Sequence, residues 1–180
     1  MKKEIEIKIK VSDLTLVEQL LAEAGCMLGG PVVQEDTIYI NYDRPFIEFK
    51  TGDVFLRIRK SNGKNLFTFK QGEEMNSIER ETEVENAEQL HDILTFLGFR
   101  PEVQVRKTRR KGAWKQYEVC LDTVDGLGSF IELEKITDEE SGEVQDQMIT
   151  DLASLGIESK ERVLNGYDTL VWLKDNPIHS

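Results

Sequence analysis

At 180 residues the chain is read as one domain, long enough to bury a real core. Its net charge of −11 argues against sequence-independent nucleic-acid binding, which needs an excess of Lys and Arg, while 39% hydrophobic and 32% charged residues fit a soluble globular protein. The two cysteines, Cys26 and Cys120, lack paired spacing and suggest neither a disulfide framework nor a zinc site; with no apolar signal core and no membrane-length segment, the expected location is the cytoplasm.

The first predicted element, MKKEIEIKIK, alternates strictly and reads as a β-strand with Ile5, Ile7 and Ile9 on one face and Glu4, Glu6 and Lys8 on the other. SDLTLVEQLLAEAG follows as an amphipathic helix, with Ser12 and Asp13 as cap candidates, a stripe of Leu16, Val17, Leu20, Leu21 and Ala24, and Gly25 at the stop. VVQEDTIYINY reads as a strand and DRPFIEFKTGD as a loop. VFLRIRK and NLFTFKQG are strands joined over 61–64, where Asn62-Gly63 signals a tight hairpin. SIERETEVE alternates again. NAEQLHDILTFLG is a second helix, with Asn86 and Gln89 spaced as a capping box, Gly98 as the stop and His91 on its surface. EVQVRKTRRKG, WKQYEVCLD and SFIELEK are three more strands, the last two joined by the turn GLG. A third helix is expected around 142–155, ending at Gly156, and NGYDTLVWLK reads as a short helical segment. Strands in antiparallel hairpins interrupted by helices make an α+β architecture.

Sorting each strand by parity puts Arg57 with Arg59, Thr68 with Lys70, Glu79 with Glu81 and Glu83, Lys107 with Arg109, Glu118 with Asp122, and Glu132 with Glu134. Nearly every strand has one apolar and one ionised face, and the ionised faces carry both signs. An open sheet with helices on its apolar side and water on the other accounts for any one strand. For the set, a closed sheet with its charges inward and its helices outside fits better, since water-facing strands draw more on Thr, Ser, Gln and Asn. Such an interior is wet or holds an ionic ligand, because dry unpaired charges cost several kcal/mol each. Six bases (Lys8, Arg57, Arg59, Lys70, Lys107 and Arg109) suit a polyanion with several phosphates, and the acids suit Mg²⁺ or Mn²⁺.

Other signals are weaker. KTRRK at 107–111 divides between two faces of a strand, and GLG lacks the residues of a phosphate loop. Trp114 and Trp172 read as packing residues, the DEE run at 138–140 as solvated residues at a helix start, and each cysteine as a small buried hydrophobe. Two scattered histidines, His91 and His179, support neither a Ser-His-Asp nor a Cys-His arrangement. Metal and phosphate chemistry is the one coherent enzymatic reading.

EIEIK resembles the ExExK signature of the CYTH proteins, the triphosphate tunnel metalloenzymes. LRIRK, TFK, ERETEVE, VRKTR, VCLDTVDGLGSFIELEK and GYDTL follow in the family's order across essentially the whole chain. EFKTGDVFLRIRK and GLGSFIELEK are most similar to the class IV adenylyl cyclase subgroup. The resemblance implies a single domain over 1–180, built as a closed eight-stranded antiparallel β-barrel, in a homodimer, binding a triphosphate with divalent metal. By it, Glu4, Glu6 and Glu132 ligate metal with Glu134 and Asp122 close by. Lys8, Arg57, Arg59, Lys70, Lys107 and Arg109 grip phosphates, with Glu4, Glu6, Lys8, Lys107 and Arg109 as the catalytic set. Glu81, Glu83 and Tyr167 are further substrate-site positions; Gly166-Tyr167 stands where the family often has Ser-Tyr. The implied activity is an adenylyl cyclase acting on ATP. The alternatives are a triphosphatase acting on thiamine triphosphate, tripolyphosphate or a nucleotide, and a non-catalytic polyphosphate-binding module.

Overall fold

The computed structural model describes residues 3–46, 53–71, 78–157 and 162–177. Part of the loop expected at 43–53, the first residue of SIERETEVE, and His179 lie outside them. In chain order the elements are β1 (Lys3–Val11), α1 (Leu14–Glu23), β2 (Met27–Leu28), β3 (Val32–Asn41), β4 (Val54–Ser61), β5 (Lys64–Gln71), β6 (Ile78–Glu83), α2 (Ala87–Phe96), β7 (Phe99–Trp114), β8 (Tyr117–Val124), β9 (Gly128–Thr137), α3 (Ser141–Ser154) and α4 (Tyr167–Asp175). They fall into two compact units: Met1–Val32 with Lys107–Gly166, and Val33–Arg106 with Tyr167–Ser180.

In the first unit, β1 pairs with β9, β9 with β8, and β8 with the end of β7, all antiparallel. Ile5, Ile7 and Ile9 of β1 join Val119, Leu121, Ile131 and Leu133 on one face, where Val17 and Leu21 of α1 and Val144, Met148 and Leu152 of α3 cover them. Burying these side chains stabilises the unit by about 1.5–3 kcal/mol each before entropy is counted. Asp13 caps α1 by accepting from the Leu16 amide at 3.0 Å, as its position predicts. Leu16 itself, placed in the apolar stripe, is half exposed.

In the second unit, β4 pairs with β3 and β5, and β5 with β6, all antiparallel. The β4–β5 turn puts Asn62 at φ 50° and Gly63 at φ 73°, the two left-handed residues that a two-residue hairpin of matching twist requires. Tyr39, Leu56, Ile58, Phe67 and Phe69 form the apolar face, covered by Ala87, Leu90 and Leu94 of α2. Asn86 caps α2 through the Gln89 amide at 2.9 Å. His91 is more than a surface residue: its Nδ1 shares a 2.9 Å hydrogen bond with the Tyr39 hydroxyl, half-buried.

Strand neighbours run β1-β9-β8-β7-β3-β4-β5-β6, with β2 on β7. Among the described residues β1 and β6 end this order and do not pair, so the closed eight-stranded barrel is corrected to an open sheet of nine strands. Alternating charge demands only that each charge meets a counter-charge or water. Here much of the ionised face does so by cross-strand pairing, without closure. Two boundaries also differ. Trp114 ends β7 instead of opening the next strand, because the turn falls at Lys115, where φ is 53°. The two-residue β2 has no signal in the sequence pattern.

Candidate functional site

The ionised side of the first unit follows from strand register. Lys8 on β1 stands opposite Glu132 on β9, which stands opposite Cys120 on β8, which stands opposite Lys111 on β7. One step along, Glu6 faces Glu134 and Glu134 faces Glu118. One step the other way, Asp122 faces Arg109. Lys8, Lys107, Arg109, Asp122 and Glu132 are buried, while Glu4 and Glu6 are exposed at the margin.

The buried charges are tied to one another. Arg109 grips Asp122 with both arms of its guanidinium, Nε donating to Oδ1 at 2.7 Å, and the same group donates to Glu132. Lys107 lies 3.6 Å from Asp122, and Lys8 lies 3.4 Å from Glu132 while also donating to the Asn165 carbonyl at 3.3 Å. Burial opposes the charge on Arg109, but the hydrogen bond to Asp122 and the Glu132 carboxylate outweigh it and raise its pKa.

Acid crowds at the other end of this face. The donor atoms of Glu118, Cys120 and Glu134 all lie within 4.8 Å of one another. Burial first, then the Glu132 and Glu4 charges and a hydrogen bond to Glu118, push the Glu134 carboxyl up to about 8 against the pull of Arg109. Burial would raise Glu118 too, but its hydrogen bonds to Lys111 and Glu134 bring it below the ordinary carboxyl range. The Cys120 thiol is pushed up, mainly by burial. Oxygen donors crowded until one holds a proton near neutrality fit a hard divalent cation, which would replace that proton. Among the described residues Glu118, Cys120 and Glu134 have donor atoms close enough together for one ion, and Glu132, Glu4 and Glu6 stand on neighbouring positions of the same face.

The second unit has its own ionised face. Asp36, Arg59, Leu66 and Glu83 form one cross-strand row; Ile38, Arg57, Thr68 and Glu81 the next; Phe55, Lys70 and Glu79 the third. Arg59 is held bidentately by buried Asp36, with both N···O distances 2.7 Å. Arg57 is held loosely. It donates to Thr68 at 3.1 Å, lies 3.9 and 3.7 Å from Glu79 and Glu81, and its buried Nε finds no acceptor among the described residues. Burial and the adjacent Arg59 lower its pKa against the pull of Asp36, Glu79 and Glu81. Lys70 is 3.7 Å from Glu79, and Glu83 turns to Lys64 at 2.8 Å.

The structure therefore gathers Glu4, Glu6, Lys8, Lys107, Arg109, Asp122, Glu132 and Glu134 on one face and Arg57, Arg59, Lys70, Glu81 and Glu83 on another. Tyr167 is buried at the start of α4. Sequence reasoning left four residues out of the site. Glu118 was sorted to the right face but given no role, and Cys120 was read as a hydrophobe although it shares parity with Glu118. Gln34 and Asp36 share parity with Ile38 in VVQEDTIYINY, a strand whose faces were not sorted.

The sequence profile of the CYTH domain matches residues 2–167. MJ0240 of Methanocaldococcus jannaschii, whose name carries a provisional adenylate cyclase assignment, is 33% identical over 168 residues, spanning 89% of this chain and 93% of that protein. Adenylate cyclase CyaB of Aeromonas hydrophila is 26% identical over 170 residues, spanning 93% and 87%. HpAC1 of Hippeastrum, described with a dominant triphosphatase activity, superposes with a TM-score of 0.67 at 16% identity, covering 97% of this chain and 96% of that one.

Proposed function

The chain belongs to the CYTH family, and we propose that it is a metal-dependent adenylyl cyclase converting ATP to cyclic AMP and pyrophosphate. The observation that carries its anion-binding half is Arg57, a partly buried guanidinium repelled by Arg59, whose Nε has no acceptor among the described residues and whose neighbouring carboxylates stand 3.7 and 3.9 Å away. Phosphate oxygens satisfy such a group, and charge-assisted bonds to them are about twice as strong as neutral ones. The nucleotide half rests on likeness to the Methanocaldococcus and Aeromonas proteins.

In this reading Arg57, Arg59 and Lys70 are phosphate contacts on the second unit, with Glu81 and Glu83 setting their orientation. Lys8, Lys107 and Arg109 are the phosphate contacts on the first unit. Glu4, Glu6, Glu132 and Glu134 are the Mg²⁺ or Mn²⁺ ligands, with Asp122 holding Arg109 in place, and Tyr167 is a further substrate-site residue. The bound cation supplies charge neutralisation of the triphosphate and acidification of the attacking hydroxyl. The bond formed joins the ribose 3′-oxygen to the α-phosphorus, and the bond broken frees pyrophosphate. The hydroxyl proton passes to solvent, and the basic residues hold the charge that builds on the phosphate oxygens. We take residues 1–180 as one CYTH-like domain, acting as a cytoplasmic homodimer without nucleic-acid or membrane partners. No helix of the described residues is long and apolar enough to cross a membrane.

The second reading is a triphosphatase, since a protein of this fold, HpAC1, is described with that activity. Product analysis separates the two. With ATP and Mg²⁺ or Mn²⁺, the cyclase yields cyclic AMP and pyrophosphate in equal amounts. Orthophosphate released from tripolyphosphate or thiamine triphosphate, faster than cyclic AMP forms, assigns the enzyme to hydrolysis instead.

A further inference from the structure

Gln34 lies on β3, where 91% of its surface is buried, and its side-chain oxygen has no hydrogen-bond donor among the described residues. A buried amide oxygen left in that state is destabilising, and such atoms are few in folded proteins. The register gives its neighbourhood. Gln34 faces Ser61, Asp36 faces Arg59, and Ile38 faces Arg57. Strand geometry separates the level of Gln34 from that of Arg57 by roughly 13 Å along the sheet. The cations step away from Gln34, with Arg59 on the next row, Arg57 on the second and Lys70 on the third.

The near end of that file carries no net positive charge, because Asp36 neutralises Arg59 through two 2.7 Å bonds. Asp36 also makes the position of Gln34 unfavourable for phosphate. An amide acceptor beside a carboxylate calls for a neutral donor, a hydroxyl or an amino group. Arg57 Nε and Gln34 Oε1, both without a partner among the described residues, are one donor and one acceptor on the same face of one unit, on either side of the Asp36–Arg59 pair.

We propose that Gln34 is a specificity-determining residue that accepts a hydrogen bond from the uncharged organic end of the triphosphate substrate, from a sugar hydroxyl or a base amino group, while the phosphates lie toward Arg57 and Lys70. This rests on the triphosphate reading above and adds to it how the site distinguishes a nucleotide from a bare phosphate chain.

The test compares binding of ATP and of tripolyphosphate, each with Mg²⁺, by calorimetry on wild type and on Gln34→Met, which keeps length and volume and removes the amide. Gln34→Leu serves as a second variant of the same kind, and retained tripolyphosphate binding shows that either variant is folded. ATP affinity should fall about tenfold, equal to about 1.4 kcal/mol and consistent with one neutral hydrogen bond, while tripolyphosphate affinity stays within about twofold. ITP, with a carbonyl in place of the adenine amine, separates the two donors: a persisting tenfold effect assigns the bond to the ribose, and its disappearance assigns it to the amine. Equal losses for ATP and tripolyphosphate, or no loss for either, overturn the assignment of Gln34 alone. Wild type that binds neither compound overturns the triphosphate reading and this assignment together.

Discussion

Replacing Glu134 with glutamine should make the metal-free protein more stable at neutral and alkaline pH. The Glu134 carboxyl is pushed from the ordinary 4.5 up to about 8, by burial first and then by the Glu132 and Glu4 charges. A carboxyl that keeps its proton in the fold and loses it on unfolding favours the fold most below pH 4.5. That contribution falls as pH rises toward 8 and is constant above it. Between 4.5 and 7 the loss is at most about 3 kcal/mol, at about 1.4 kcal/mol per pH unit. The group is only 16% exposed, so solvent screening removes little of this. Relaxation around Glu118 and Lys111 makes it a ceiling. Glutamine resembles the protonated acid and has no proton to lose. Urea unfolding in EDTA at pH 5.5, 7 and 8.5 should show wild type losing stability across the series and Glu134→Gln losing much less. The curves should differ by about 1–3 kcal/mol at pH 8.5 and by about a third of that at 5.5. Two curves that stay parallel over that range would show that the carboxyl titrates normally and that the acid cluster is not strained.

Arg57→Met should lower tripolyphosphate affinity by at least about tenfold in calorimetry, the worth of one charge-assisted bond, while leaving the melting temperature of the ligand-free protein unchanged or higher. Arg109→Met should cost about 3 kcal/mol in urea unfolding, because it removes the guanidinium that holds both oxygens of the fully buried Asp122. Gly112→Ala should cost about 2 kcal/mol in the same assay, since a Cβ there would stand 2.8 Å from the Met27 carbonyl oxygen.

Strand parity carried most of the face assignments. Alternation in EIEIK, FLRIRK, RETE, VRKTR and IELEK is a local property, and it put Lys8, Arg57, Glu81, Lys107, Arg109 and Glu132 on the faces where they stand. Helix ends were equally local, set by Asp13 and Asn86 at the caps. Closure was not legible, because it depends on whether the first and last strands meet, and alternation is the same in an open or a closed sheet. Nor was β2, whose pairing depends on Gly112 letting the Met27 backbone approach. Cys120 is buried and unpaired, as the sequence suggests, but its neighbours are not all apolar. Here the thiol is fully buried yet shares its face with Glu118, Glu132 and Glu134.

The same six bases that parity gathers are not equally available to a ligand, and geometry ranks them. Arg109 is gripped by Asp122 and Glu132 inside the sheet, with Asp122 wholly buried. Moving Arg109 onto a phosphate would take from Asp122 and Glu132 their shortest charged contact, with Lys107 at 3.6 Å and Lys8 at 3.4 Å as the more distant neighbours, and breaking a buried pair costs about 3–5 kcal/mol. One phosphate bond, worth about 1.5–3 kcal/mol, does not offset that. Arg109 therefore reaches a phosphate only as a shared donor that keeps Asp122, or when a cation takes over Glu132. Arg57 has no such commitment. Its nearest carboxylate oxygens are 3.7 and 3.9 Å away on half-exposed side chains, and its Nε is unused. A phosphate chain without metal should accordingly engage Arg57 and Lys70 first. The contribution of Arg109 should emerge only with metal present. Calorimetry of tripolyphosphate with Arg57→Met and with Arg109→Lys, each with and without Mg²⁺, reads this directly. The Arg57 variant should lose affinity in both conditions and the Arg109 variant only with Mg²⁺. A metal-independent loss in the Arg109 variant, with its urea midpoint intact, would refute the ranking.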